Sequence, residues 1–278
     1  MALFQKNVRF GRPLKLSSWR KVAIGTWNTV GDPSVYGLAE FDVTAVNQYI
    51  NDLKTKTGKK ITLTHFVGKA VAETIRRHPE INCSLRFGKL YPRKSVDIFF
   101  QVASDNTGED LSGTTIRNAD QKTTIEIADQ MHQKVTTIRT KDDPDYKQMK
   151  SLMGLIPGFL TKIMINLSGF IMYTLNIWSP LLGVPRDSFG SVMITNIGSI
   201  GLDIAFAPIV PYSRVPILIA VSSVCETPCV IDGKIEIRPK VKLCATFDHR
   251  LIDGIHASHM SHTLKAIFKN PSKELKEN

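Results

Sequence analysis

Phe247-Asp248-His249-Arg250-Leu251-Ile252-Asp253-Gly254 is the stretch on which the reading of this chain turns. Upstream of it, Val241, Leu243, Ala245 and Phe247 alternate with Lys242, Cys244 and Thr246, the period-two pattern of a strand packed on one face. Downstream, Gly254 permits a tight turn, and Met260, Leu264, Ile267 and Phe268 recur at helical spacing. His249 therefore stands where a strand gives way to a turn and a helix, a place from which a rigid element can aim a side chain into a cleft. An imidazole titrates near neutrality and can take a proton at working pH. Asp253, across the turn, can pin the local backbone or balance a nearby arginine. On spacing alone, a histidine satisfied by backbone at a strand end is the plainer account.

Working outward, Tyr36 to Val43 reads as a strand, and Thr44 as the N-cap of a helix with Val46, Tyr49, Ile50 and Leu53 on one face. A second helix opens near Thr64, turns Phe66, Val67, Ala70, Val71 and Ile75 inward, and stops before Pro79. Strands are expected at Lys89–Tyr91 and Val96–Ala103, and Thr123 and Glu126 form a capping-box pattern before Ile127, Ala128, Met131 and Val135. Strands and helices interleave without an internal repeat. That order predicts an α/β sandwich around a mixed sheet.

The chain has 278 residues, 42% apolar and 22% charged, enough for a real core. Net charge is +11, and Lys6, Arg9, Arg12, Lys15, Arg20 and Lys21 all precede the first acid, Asp32. Residues 1–22 thus read as a basic arm, solvated or facing an anionic partner such as a phosphate-bearing cofactor. No nucleic-acid motif accompanies it, so no nucleic-acid partner is expected. Cys83, Cys225, Cys229 and Cys244 lack the pairing and nearby histidine of a zinc site and read as reduced thiols in a cytoplasmic protein. Met1 to Lys6 carries no long apolar run of a secretory signal. Gly198-Ser199-Ile200-Gly201 lacks the full glycine pattern of a dinucleotide fingerprint. His256, His259 and His262 recur every three residues, a spacing that drifts around a helix, so a solvated face and no metal are expected.

Asp248-His249-Arg250-Leu251-Ile252-Asp253-Gly254 resembles the His-x-x-x-Asp-Gly signature of the 2-oxoacid dehydrogenase acyltransferases, the dihydrolipoyl acyltransferase components, which share a related form with chloramphenicol acetyltransferase. Trp19-Arg20-Lys21-Val22-Ala23, Glu40-Phe41-Asp42-Val43-Thr44, Thr64-His65-Phe66-Val67-Gly68-Lys69-Ala70 and Pro79-Glu80-Ile81-Asn82 are similar to the family's segments in the same order. The likeness is sharpest at Ile116-Arg117-Asn118-Ala119-Asp120-Gln121-Lys122. Phe189-Gly190-Ser191-Val192-Met193-Ile194-Thr195-Asn196-Ile197-Gly198 resembles the strand and turn that carry the family's oxyanion-stabilising hydroxyl. One segment departs: Gly108 to Thr115 is more polar than the family's Gly-Leu-Val-Val-Pro-Val, which puts the usual substrate channel in doubt.

The resemblance implies a chloramphenicol-acetyltransferase-like two-layer sandwich over residues 23–278. It also implies a CoA-dependent acyltransferase moving an acyl group between thiols. His249 would be general base and Thr195 would hold the oxyanion, although a threonine there is also an ordinary strand residue. Asp253 would fix the histidine loop, through Arg20 or Arg250. Gly254 and Asn196 would be structural support. Coenzyme A is then a substrate. A lipoyl group, if used, comes from another chain, because no lipoyl domain, peripheral-subunit-binding domain or Ala/Pro-rich linker is present in these residues. Family active sites lie between subunits, so a homotrimer is expected. The polar end at Pro271 to Asn278 suggests that trimers do not assemble further. The rival readings are a non-catalytic trimeric scaffold of a dehydrogenase complex and a transferase acting on a small-molecule or lipid hydroxyl.

Residues 163–185 carry no charged side chain. That length reaches the window of a membrane span, but Asn166, Ser168, Asn176, Ser179 and Pro180 oppose one. The stretch, part of an apolar insertion at about 150–186, reads as a buried or ligand-facing helix. It would wall a longer acyl group, or dock on a membrane or partner.

Overall fold

The computed structural model of the chain describes residues 33–103, 111–139, 157–178 and 185–275. The alternation around the quoted stretch forms one of two 15-residue strands, β7 (Ile217–Ile231) and β8 (Lys234–Asp248), joined at the Asp232-Gly233 turn. With β1 (Ser34–Asp42), β4 (Ile98–Ala103), β5 (Leu111–Ile116) and β6 (Val192–Asn196) they make a six-stranded sheet in the order β1-β8-β7-β6-β4-β5. β6 runs parallel to β4 and β7 while the other pairs are antiparallel, so the sheet is mixed as expected. A separate hairpin pairs β2 (Cys83–Arg86) with β3 (Lys89–Pro92).

One face of the sheet is covered by α1 (Thr44–Thr57), α2 (Leu63–Arg77), α3 (Thr124–Arg139) and α5 (Gly254–Lys269), where apolar side chains recur at helical spacing. Phe66 of α2 is fully buried there, edge-on to Phe268 at 5.2 Å and to Tyr49 at 5.9 Å. Each such side chain contributes about 1.5–3 kcal/mol on burial. Gly68 lets α2 approach the sheet, since a Cβ there would stand 2.3 Å from the Phe100 ring. The capping box at Thr123 and Glu126 forms as predicted: each side chain takes the other's backbone N–H, at 3.1 and 2.8 Å. Thr44, by contrast, is the first helical residue and not the cap. Its N–H goes to the Asp42 carboxylate at 2.8 Å, which satisfies the helix start from one residue further back.

The opposite face holds two small clusters, Phe99 with Met193, Val215 and Leu218, and Ile197 with Ala220 and Cys244. Tyr36, Leu38, Ile200, Leu202, Ile204 and Phe206 remain exposed. Beyond Val221 and Lys240 the flanking strands end, and β7 and β8 continue as a two-stranded ribbon. On one side of that ribbon Val230 opposes Ile235 and Pro228 opposes Ile237, all exposed. Cys83 and Cys244 are buried, Cys225 and Cys229 half-buried, and all four are free thiols.

Of the buried and ligand-facing readings of the apolar stretch, the described residues do not fit the buried one. α4 (Gly158–Gly169) continues as one π-helical turn over Phe170–Thr174. It turns Thr161, Ile165 and Met172 inward but leaves Ile163 60% and Leu167 57% exposed. It rests on Tyr212, whose ring stands edge-on to Tyr173 and Phe189, and Arg86 of β2 donates to the Thr174 carbonyl at 2.9 Å, contacts that leave the side of Ile163 and Leu167 open. Among the described residues no helix is long and apolar enough to cross a membrane. Of the polar departure at 108–115, Leu111–Thr115 lies in edge strand β5 and the rest is outside the described residues.

Candidate active site

His249 follows the last residue of β8 and is exposed; its backbone N–H donates to the Pro33 carbonyl at 2.9 Å. The turn that holds it is built from its own neighbours. Asp248 accepts from Arg250 twice through the guanidinium, Nε at 2.9 Å and Nη2 at 2.6 Å, and once through the Arg250 backbone at 3.0 Å. This fork keeps the Arg250 guanidinium charged, its pKa raised by the hydrogen bond to Asp248. Arg214, at φ +55°, lies close by, and desolvation followed by the charge of Arg250 lowers its pKa. The spacing Asp-x-Arg at a strand end was the one signal that could have announced the pair; nothing in the sequence marked Arg214.

Asp253 does not pair with Arg250, because Asp248 stands two residues from that arginine and takes its fork first. It caps α5 instead: its carboxylate accepts from the N–H groups of Ile255 at 3.1 Å and His256 at 3.3 Å. His256 returns the contact by accepting the Asp253 N–H at 3.2 Å. Gly254 is the first helical residue with ordinary φ, and nothing lies within 4 Å of a Cβ placed there, so the turn does not require a glycine. Arg20 lies outside the described residues.

Thr195 is half-buried near the end of β6, on the face away from the main helical layer. Its side chain has no hydrogen-bond partner among the described residues. Asn196 pins the turn behind it, donating to Thr64 Oγ1 at 2.9 Å and accepting the Ser199 N–H at 3.0 Å. Gly198 is needed for close backbone approach, since a Cβ there would stand 2.4 Å from the Ser223 nitrogen. The entry to β6 is tied down by Arg117, which pairs with Asp97 at 3.1 Å and Asp187 at 3.3 Å and donates to the carbonyls of Arg186 and Asp187. Arg93 joins the same cluster through Asp187. Reading the sequence found the Arg117-Asn118 segment but not the aspartates that anchor it, which come from distant parts of the chain.

The two proposed catalytic side chains are not brought together within one chain. Thr195 is level with Ala220 of β7 and, across it, Cys244 of β8. His249 lies five residues beyond Cys244 and two strands away. At about 3.3 Å per residue and about 4.8 Å per strand, that places the two on the order of 15–20 Å apart, at opposite ends of the sheet.

The profile of the 2-oxoacid dehydrogenases acyltransferase catalytic domain matches residues 15–145 and 187–275, most of the chain and both of these ends. The chain belongs to this acyltransferase family. Among curated relatives, the lipoamide acyltransferase component of the branched-chain alpha-keto acid dehydrogenase complex of Bacillus subtilis is 28% identical, over 86% of this chain and 47% of its own length. A dihydrolipoyllysine-residue acetyltransferase component of the pyruvate dehydrogenase complex of Staphylococcus aureus is 24% identical, over 88% and 48%. The chain thus spans about half the length of these relatives. A solved dihydrolipoamide acetyltransferase of Azotobacter vinelandii, described as probing a serine, a histidine and an asparagine in its catalytic mechanism, aligns with a TM-score of 0.70. Its identity is 22%, covering 96% of this chain and 95% of that one. A probable dihydrolipoamide acetyltransferase of Listeria monocytogenes aligns with a TM-score of 0.68 at 21% identity, over 96% and 97%. The mixed-sheet α/β architecture is therefore that of the acyltransferase cores.

Proposed function

We propose that the chain transfers an acyl group between thiols, coenzyme A being one carrier and a dihydrolipoyl group on another chain the other. The observation that carries this reading is the family match over 187–275, which spans the Thr195 and His249 segments together. In the Azotobacter protein the asparagine follows the histidine by four residues, as Asp253 follows His249 here, and the serine precedes it by 52 residues against 54 for Thr195.

The chemistry follows from the side chains. The His249 imidazole takes the proton of the attacking thiol, and the thiolate adds to the acyl thioester carbonyl. The Thr195 hydroxyl donates to the oxygen that becomes negative. Collapse expels the second thiolate, which takes the proton back from the imidazolium. One thioester breaks, one forms, and no covalent enzyme intermediate is required. Asp248–Arg250 and the Asp253 cap hold the loop that presents His249.

Because one chain separates the two groups by the length of the sheet, each site is assembled from His249 of one copy and Thr195 of the next, in a homotrimer. The ribbon supports this arrangement. It projects from the end of the sheet that carries Thr195, and its exposed apolar side is positioned to meet a second copy that brings its His249 end there. The interval between the two matched segments, 146–186, supports the reading of an apolar insertion in a single catalytic domain.

The test is release of free coenzyme A from short to long acyl-CoAs, with and without dihydrolipoamide. His249→Ala and Thr195→Ala are each expected to lose about 10²–10³-fold or more. Dissociating and reassembling the two variants together should restore about a quarter of the sites, the fraction in which an intact histidine meets an intact threonine across a head-to-tail interface. Mixed trimers without recovery would reject the shared site. Release only with a hydroxyl acceptor would replace the thiol reading, and no release from a folded trimer would leave a scaffold.

A further inference from the structure

The three histidines that recur along α5 do not share one fate. His256 is used in the cap of its own helix, and His262 is exposed. His259, one turn into the helix, faces the end of α2. There His78 closes α2, its backbone N–H donating to the carbonyls of both Thr74 and Ile75 at 3.1 Å, and Pro79 forbids continuation. Glu80 follows in the short 3₁₀ turn Pro79–Ile81. The imidazoles of His78 and His259 lie stacked with centroids 5.7 Å apart, and His78 Nδ1 stands 3.5 Å from the Glu80 carboxylate. One donor atom from each of the three residues falls within 4.8 Å of the other two.

We propose that His78, Glu80 and His259 form a binding site for a divalent transition-metal ion of the zinc type. Two imidazole nitrogens and one carboxylate oxygen suit zinc, nickel or cobalt better than magnesium or calcium, which take oxygen ligands. The 3.5 Å between His78 Nδ1 and the carboxylate is long for a charge-assisted hydrogen bond. It is close to the roughly 3.4 Å that separates two ligands on a tetrahedral zinc with bonds of about 2.0–2.1 Å. A second observation supports the assignment. The other ring nitrogen of His78, Nε2, is 2.8 Å from Thr263 Oγ1. The tautomer that donates from Nε2 to that hydroxyl keeps Nδ1 as the lone-pair nitrogen, in the manner of the outer-shell contacts of metal-bound histidines.

His78 and Glu80 directly follow the end of α2, and His259 lies in α5, so the ion would clamp two helices already packed together through the core. Glu80 and His259 are exposed, and small side-chain rotations close the remaining distance. The fourth position is left to water. Since α5 begins just after His249, the clamp would stiffen the element behind the catalytic loop without touching the reacting groups.

The experiment uses the full chain, stripped of metal by chelation and titrated with zinc chloride in a calorimeter, with thermal unfolding recorded alongside. The expected result is one zinc per chain and a Tm rise of about 5 °C at roughly a hundredfold excess over Kd. Both should be lost in His259→Ala and in Glu80→Gln, whose exposed positions leave folding intact. The double variant His256→Ala/His262→Ala should bind like the parent. Zinc binding that survives His259→Ala, that disappears only in the double variant, or that is absent below 100-micromolar-order concentrations would overturn the proposal.

Discussion

The two faces of the sheet are finished to different degrees. On one, four helices meet the strands in a continuous core, with Phe66, Phe100, Ile194 and Ile219 removed from water. On the other, two small clusters lie between exposed apolar side chains such as Leu38, Leu202 and Phe206. The same hydrophobic effect acts on both, so the difference is one of partner. The first face is completed by the chain's own helices. The second, which carries Thr195, has its apolar side chains where a second copy can cover them. Stability of the subunit is thus concentrated on the helical face, and the proposed assembly on the other face and on the projecting β7–β8 ribbon.

Phe66→Ala against Ile237→Asp would test that division most severely. Phe66 is fully buried between Tyr49 and Phe268, so its truncation should lower the unfolding free energy by about 3–5 kcal/mol, read from urea denaturation. Ile237 is 67% exposed on the ribbon, and its substitution should change subunit unfolding by no more than about 0.5 kcal/mol. Sedimentation should nevertheless show the Ile237 variant dissociated. A variant that stays assembled would break the link between the exposed apolar ribbon and a second copy.

A smaller effect concerns a titratable group inside the covered face. His65, at the start of α2, is buried beside His132, and burial first, then the His132 and Lys60 charges, lowers its pKa to about 4. Its Nδ1 accepts the Thr62 N–H at 3.2 Å, so the neutral ring is the one that fits. The unfolded chain, with an ordinary histidine pKa of about 6.5, takes up the proton more readily. The stabilisation is therefore complete above pH 6.5 and is lost as pH falls from there toward 4, amounting to at most about 3 kcal/mol. Glutamine at this position can keep the capping contact without titrating. His65→Gln should gain about 2 kcal/mol relative to the parent between pH 7.5 and 4.5, measured by denaturation at each pH. Equal slopes for the two proteins would mean that the helical layer admits water at His65.

The helical face was the more legible in the sequence, and for a physical reason. Val46, Tyr49, Ile50 and Leu53, or Met260, Leu264, Ile267 and Phe268, mark their burial by local spacing, and all are buried. The alternation before His249 likewise became β8. The other face depends on contacts that no local period encodes. In the helix of residues 158–169, Leu160, Ile163, Met164 and Leu167 recur at the spacing of a buried face, so the sequence could not say that Ile163 and Leu167 would stay exposed. At the site, the turn position of His249 was readable from the strand before it. Its pairing was not: Asp248 and Arg250 compete locally with Asp253, and side-chain geometry decided in favour of the nearer acid. The distance between His249 and Thr195 required the strand register, which only the folded sheet supplies.

Asp253 gives the finest test, because it belongs to neither face. It sits at the exposed rim where β8 hands over to α5, and its carboxylate serves two backbone N–H groups of the helix start. Removing that cap in Asp253→Ala should cost about 1 kcal/mol, read as a drop of a few degrees in Tm. Asparagine also caps helices well, so Asp253→Asn should recover most of the loss. The pair also separates two roles. If Asp253 acts on catalysis only by holding the His249 loop, the asparagine variant keeps both stability and turnover, and the alanine variant loses a modest part of each. If its charge matters to the imidazolium formed during transfer, the asparagine variant keeps its Tm while the pH profile of turnover shifts. That outcome would move Asp253 from the support of the loop to the electrostatics of the reaction.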